Sequence, residues 1–476
     1  MMNLLVFGPE LFMFFSAAIF LVFSMGSASR PVRDYRMAVL LSGVGLGVCL
    51  VSLTAQGDLF AAAYRVDFFS QVFKILLAAG LFLVMYLCGE LKGIASRHHP
   101  EFYLLLFTST LALMLLVSGV HLLSMYIALE LSSYCLYILV ALNRDPDMGI
   151  EAGVKYFLTG ISASALMIFG LALLYSASGT LYVKDLFQVF PGLMDRPMAV
   201  IGLLFTLSGF LFKLAVFPFH FWAPDVYQGA ANQVAAYIAT VSKVAAAAVL
   251  IRTVAVSGAA NSSLTPVLTM MAVATMTIAN LAALGQKDLK RLLAYSSIAQ
   301  AGYILIGVLS VGPAGQSGVV FYALALLLMK LTVFLIVIRV APDGGGNPAV
   351  NDLAGLHQRS PILALALMIS LFSLAGIPPF IGFTGKFMIF TAAMQAGHFY
   401  LVLAAMINVV ISLYYYLFLL KAAYLLPPNE ASAPLQISSL ERGIVGFLIL
   451  LMVGGGLYPA GFITVADATA LMLMYP

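Results

Sequence analysis

Charged residues are scarce in this 476-residue chain: 9% of it is Asp, Glu, Lys or Arg, and 63% is hydrophobic. A soluble globular protein is about 25% charged, so water is excluded as the main solvent. Basic excess is also missing. A formal net charge of +4, dispersed along the chain, leaves no footprint for nucleic acid. Cysteine is rarer still. Cys49, Cys88 and Cys135 lie in separate apolar runs without a C-x-x-C pair, which excludes a disulfide framework or a cysteine metal site. The sequence also lacks a Walker loop, a dinucleotide fingerprint, an iron–sulfur ligand set and a haem attachment signature. With no energy source of its own, the chain must be driven by partners or by an ion gradient.

Long apolar runs are what it has instead. Six lie near 4–25, 38–55, 69–90, 102–119, 121–142 and 153–176. Eight more follow near 198–221, 231–254, 264–284, 292–311, 317–340, 362–394, 400–425 and 443–465. A helical crossing of a bilayer needs roughly 20 apolar residues and a β-strand only about 10, so these runs predict helices. The first run lacks a basic leader, carries Glu10 and is followed by Arg30, Arg33 and Arg36, as a retained helix would be rather than a signal peptide. The expected fold is an all-α polytopic membrane protein of about 14 transmembrane helices, a single membrane domain over 1–476. Thirteen Lys and Arg fall in the loops after helices 1, 3, 5, 9, 11 and 13. Only Arg65, Lys184, Arg196 and Arg252 fall on the opposite side. The positive-inside rule then puts the odd-numbered loops in the cytoplasm and both termini on the periplasmic side of a bacterial inner membrane.

Six of the 23 basic residues remain inside the runs: Lys74, Lys155, Lys213, Lys243, Lys330 and Lys386. The one acid deep within a run is Glu130. A charge at the bilayer centre costs at least ~2.5 kcal/mol on insertion scales, so such residues mark function by default. Glu130 is followed by Ser132, Ser133 and Tyr134, which could hydrogen-bond it; the plain alternative is a carboxylate that pins two helices. Lys213 precedes Pro218 by five residues, and a proline there breaks the helix and exposes backbone polar groups beside the lysine. His220, seven residues after Lys213, shares its face if the break is mild, either as a proton relay or as an ordinary helix-end histidine. Lys243 and Lys330 are flanked by apolar residues on both sides, with Arg252 and Arg339 already available as interfacial anchors. Lys386 follows a second interruption made by Pro378, Pro379, Gly382 and Gly385. Lys155 and Lys74 lie nearer the ends of their helices, where snorkelling to the interface competes with a central role.

Lys213 and Lys386 are 173 residues apart, and Lys155 and Lys330 are 175 apart. Two five-helix units, helices 4–8 over 101–255 and 9–13 over 260–426, would give that offset. They would be flanked by helices 1–3 in 1–100 and a C-terminal helix in 440–476. Five is odd, so the second unit is inverted, a transporter pattern, with helices 7 and 12 broken. Burial lowers a lysine's proton affinity and a neighbouring carboxylate restores it. Separating and rejoining Glu130 and Lys213 would therefore release and reload a proton, and the other lysines would pass it along the middle of the membrane.

The stretches FKLAVFPFHFWAPDVYQGA and DLKRLLAYSSIAQAGY resemble the antiporter-like family shared by complex I, Mrp-type cation/proton antiporters and membrane-bound hydrogenases. RDPDMGIEAGVKYFLTGISASALMIFG, SLAGIPPFIGFTGKFMIF and MINVVISLYYYLFLLKAAYL are similar to the subunit N branch of complex I. The resemblance covers nearly the whole chain. It implies a proton path with Glu130 paired to Lys213, Lys243 connecting and Lys386 in the exit half, with His220 and Lys155 as further positions. It also implies other complex I membrane subunits as partners in the lipid bilayer, with NAD, FMN, iron–sulfur clusters and quinone on partner subunits and no cofactor here. Departures are QGAANQVAAY in place of a proline-bearing stretch, Gln300 where histidine is frequent, and Lys330 where that branch commonly has asparagine. An Mrp-type Na⁺/H⁺ antiporter subunit and a hydrogenase- or ferredoxin-linked relative are the alternatives, with a purely structural scaffold behind them.

Overall fold

Inside a bilayer a backbone must satisfy its own polar groups, so runs this apolar become helices. The computed structural model describes residues 5–26, 30–143, 145–254, 264–342, 346–428 and 434–473; Arg144, counted in the charge asymmetry, lies outside them. The chain opens with α1 (Gly8–Ser24) and α2 (Pro31–Val51). A small antiparallel hairpin follows, β1 (Gly57–Leu59) on β2 (Tyr64–Val66). Then come α3 (Phe68–Tyr86), α4 (His99–Ser118), α5 (Leu122–Ala141), α6 (Pro146–Ser178) and the short α7 (Val183–Val189). A broken pair, α8 (Pro197–Leu214) and α9 (Trp222–Gly229), precedes α10 (Asn232–Tyr237), which runs through a π-turn into α11 (Lys243–Val254). The second half holds α12 (Leu264–Ala283), α13 (Leu289–Leu309), α14 (Pro313–Val340) and α15 (Leu356–Arg359). A second broken pair, α16 (Pro361–Ala375) and α17 (Ile381–Gln395), leads to α18 (Phe399–Leu425), α19 (Ser439–Leu457) and α20 (Ala460–Leu471).

Among the described residues, twelve helices are long and apolar enough to cross a membrane, against about fourteen expected. The two runs that fall short have physical reasons. α1 is only 17 residues long, and the run at 362–394 is divided into two 15-residue pieces. The hairpin was not expected, because three-residue strands leave no periodic signal in a sequence read for helices.

Helices in lipid gain little from hydrophobic exclusion and associate through close packing at small residues. α6 and α8 show this directly. A Cβ on Gly170 would lie 2.4 Å from the Thr206 backbone nitrogen, and one on Gly202 would lie 2.9 Å from that of Leu174. Because the clashing atoms are backbone, no rotamer change relieves them. Gly170→Val is therefore expected to push α6 from α8, at an overpacking cost of about 1–3 kcal/mol or more. The check is the amount of subunit recovered in intact membrane complexes, which should fall while Ile201→Val, at an exposed position on α8, leaves it unchanged.

Candidate functional site

Glu130 stands near the middle of α5, mostly buried, and accepts a hydrogen bond from the Ser164 hydroxyl of α6. Lys213, at the last turn of α8, is 2% exposed and donates from Nζ to Ser132 Oγ at 2.9 Å and Ser133 Oγ at 3.2 Å. Ser132 Oγ is in turn 3.1 Å from Ser109 Oγ on α4. Among the described residues no direct salt bridge joins Glu130 to Lys213. The two charges are still near enough to act on each other. Serines occupy the space between them because α5 presents Ser132 and Ser133, not Glu130, to the end of α8. Hydrogen bonds to a charged donor contribute about 1.5–3 kcal/mol each. Two of them offset the ~2.5–3.5 kcal/mol that insertion scales assign to a lysine at a helix centre.

The break after α8 is abrupt. Ala215 adopts a left-handed conformation (φ 63°), and residues 215–221 are not helical. His220 therefore shares no helix face with Lys213, the condition of a mild break not being met. It sits in the interruption, 3% exposed, with Nδ1 unpartnered and its ring 4.2 Å from that of Phe221. Freed backbone groups find specific partners. Phe217 N–H donates to Thr275 Oγ1 at 2.9 Å, and Trp222 Nε1 donates to the Phe212 carbonyl at 3.1 Å. The Leu214 carbonyl accepts from Lys243 Nζ. A cation at the C-terminal end of a helix is also favoured by the helix dipole.

Lys386 repeats that contact at the second break. α16 ends in Ala375, Gly376 is left-handed (φ 83°), and Lys386 Nζ donates to the carbonyls of Leu374 at 2.8 Å and Ala375 at 3.3 Å. Gly376 is required twice over, since a Cβ there would also lie 2.9 Å from Lys386 Cδ. By contact, Lys386 corresponds to Lys243 and not to Lys213: each caps the carbonyl end of a half-helix, whereas Lys213 precedes its break. Lys330, midway along α14 and 5% exposed, lies near enough to Lys243 for their charges to act on each other.

Sequence reasoning undervalued Gln300. It is fully buried on α13, donates to the Leu374 carbonyl at 3.3 Å and to the Tyr416 hydroxyl at 3.2 Å, and accepts from the Tyr322 hydroxyl. It thus shares an acceptor with Lys386 and touches the helix that carries Lys330. Ser164 was missed as well, because a single serine in an apolar run has no distinguishing pattern.

Lys155 stands apart from this row. Its side chain is 46% exposed and paired with Glu151 at 2.7 Å and Asp225 at 2.8 Å, while Arg291 reaches Asp225 at 2.5 Å. These residues line a surface cavity of about 240 Å³. Lys155 is drawn there because Asp225, on α9, supplies the counter-charge. Lys74, which its place near a helix end makes a candidate for snorkelling, does the reverse: it is fully buried and held 2.7 Å from Glu10, itself 1% exposed. Glu130 is therefore not the only deeply placed acid. Lys290, counted among loop charges, is also buried and donates to the Ala230 carbonyl at 2.7 Å.

Residues 119–412, which hold every member of the row, match the NADH:quinone oxidoreductase/Mrp antiporter transmembrane family. The chain belongs to that family. It is 60% identical to NADH-quinone oxidoreductase subunit N 2 of Syntrophobacter fumaroxidans over 99% of its own length and all of the relative's. Its fold superposes on a chain of respiratory complex I from Thermus thermophilus with a TM-score of 0.84, at 32% identity, covering 97% of this chain and 99% of that one. A chain of the Mrp complex from Dietzia matches with a TM-score of 0.86, covering 99% of this chain and 98% of that one, but at 21% identity the likeness is one of fold alone. The family's relatives are thus components of multi-subunit membrane complexes, and this member carries its charges on the same helical frame.

Proposed function

We propose that this chain is a proton-translocating membrane subunit of an NADH:quinone oxidoreductase, embedded in a bacterial inner membrane and driven by quinone reduction on partner subunits. One observation carries the reading. Lys213, Lys243, Lys330 and Lys386 are each at least 95% buried, yet among the described residues none forms an ion pair with a carboxylate. A lysine whose charge in lipid is purely structural needs a counter-ion, and these four have none among the described residues. Lys213, Lys243 and Lys386 rest instead on hydroxyls and helix-end carbonyls, which hold an ammonium without fixing its charge. Lys330 makes no hydrogen bond among the described residues.

In this reading Glu130 takes up a proton and acts through Ser132 and Ser133 on Lys213. Lys243 and Lys330 carry the proton across the join between the halves, and Gln300 and Lys386 complete the row. The presence of one broken pair in each half, α8–α9 and α16–α17, supports two inverted five-helix units over 101–255 and 260–426. The excess of basic residues in the odd-numbered loops supports termini on the periplasmic side. An Mrp-type antiporter role has the joint family and the shared fold behind it, whereas the identity of 60% is to a subunit N.

The test is Glu130→Gln in sealed membrane vesicles, with quinone-coupled acidification read at matched subunit content. Acidification should drop about tenfold or more, within the range expected for loss of a positioned proton-transfer group, while uncoupled quinone reduction persists. Normal acidification in the variant would reject the role of Glu130 as the intake.

A further inference from the structure

The ion pair Glu10–Lys74 belongs to a longer polar feature that the lysine row leaves unused. Asp67, Gln71 and Lys74 are spaced four and three residues apart on α3, so they stack on one face of that helix. Asp67 caps the helix, accepting from Ser70 N–H at 2.7 Å, and is bridged to Arg252 of α11 at 2.9 Å. Gln71 donates to the carbonyls of Ser52 at 2.7 Å and Ala55 at 3.2 Å. Lys74 meets Glu10 at 2.7 Å, and the Tyr64 hydroxyl donates to the same Glu10 oxygen at 2.6 Å. Tyr64 is bridged through its backbone to Gly119, which brings Ser118 alongside.

Along this stripe, buried polar atoms lack hydrogen-bond partners: Glu10 Oε2, Gln71 Oε1, and Nε and Nη1 of Arg252. Buried polar atoms are nearly always satisfied, by ordered water where protein does not reach. Four of them, contributed by α1, α3 and α11 around the stripe, mark a place built for water. The outer end opens on a cavity of about 230 Å³ walled by Asp67, Arg252, Arg65 and Lys184, room for several waters at about 30 Å³ each. Arg65, Lys184 and Arg252 are three of the four basic residues on the sparsely charged side of the chain, the expected outer face. Farther along, α3 packs against helices that carry the row. Six residues past Lys74, about 9 Å along the helix, a Cβ on Gly80 would lie 2.7 Å from Val241 and 3.1 Å from Leu327. Those residues stand two before Lys243 and three before Lys330.

We propose that the hydrated stripe Lys74–Glu10–Gln71–Asp67 is the passage by which protons leave the lysine row for the outer face. This rests on the proton-translocation reading above and adds the outlet to it. Lys74 accepts a proton passed from the side of Lys243 and Lys330 and releases one toward Glu10 and the outer cavity. The proton count is conserved, and the pair ends as it began.

Lys74→Arg in the assembled complex separates passage from pin. Arginine keeps the ion pair with Glu10 but does not deprotonate in proteins. Protons released per quinone reduced should fall about tenfold or more in this chain's share, with assembly and uncoupled quinone reduction retained. The neutral double variant Glu10→Gln with Lys74→Met is measured beside it, which keeps the outlet testable if the arginine disturbs assembly; it too should lose pumping. Wild-type pumping in either assembled variant overturns the proposal. Lys213→Ala is run in parallel to distinguish the two readings. If it loses pumping while the Lys74 variants keep it, the row stands and the outlet is wrong. If both lose pumping, row and outlet stand together; if the Lys74 variants lose it while Lys213→Ala keeps it, Lys74 does not serve a row that runs through Lys213 and the proposal is overturned.

Discussion

Lys213→Ala is expected to lower quinone-coupled acidification by about tenfold or more while the protein still inserts and assembles. The asymmetry follows from the partners. Lys213 Nζ is held by Ser132 and Ser133, and removing it leaves two neutral hydroxyls short of a donor, at a cost of about 1–3 kcal/mol each at most. No carboxylate is stranded, because Glu130 bonds to Ser164 instead. The proton path, in contrast, loses the group that answers Glu130. Vesicles with matched subunit content that acidify normally would remove Lys213 from the pathway.

Lys386→Arg should impair pumping nearly as much as Lys386→Ala, although arginine retains the charge. Lys386 caps the carbonyls of Leu374 and Ala375 and lies 4.4 Å from the Tyr303 ring centre, so a guanidinium has acceptors and an aromatic face to occupy. What it cannot do is release a proton. Acidification measured for the two variants side by side decides the role. Full pumping with arginine and none with alanine would reduce Lys386 to a fixed charge that closes a helix end.

Much of this frame was legible because apolar length and proline position are local properties. The break near Pro218 and the one at Pro378 and Pro379 were readable, as was the burial of Lys243 and Lys330. Partners were less so. Lys213 faces serines and not Glu130 because the rotation of α5 against α8 is set by packing across several helices. Lys74 and Lys155 show the same limit in opposite directions. Each lies toward one end of its helix, yet Glu10 holds one in the interior and Asp225 draws the other to the surface. Gln300 stands where histidine is frequent and so drew no role, although its amide both donates and accepts, and here its partners are a carbonyl and two tyrosine hydroxyls. The hairpin β1–β2 left no trace, since strands this short are specified by what they pack on.

The most direct measurement is the ratio of protons released to quinone reduced in sealed vesicles carrying Lys243→Met. Methionine fills the volume without a charge, and replacing a buried charge by an apolar side chain of similar size is often neutral or stabilising. If the lysine row were a scaffold, the complex would assemble and pump as before. The account predicts an assembled complex that reduces quinone when uncoupled but whose ratio falls well below that of the wild type, and a wild-type ratio would contradict it.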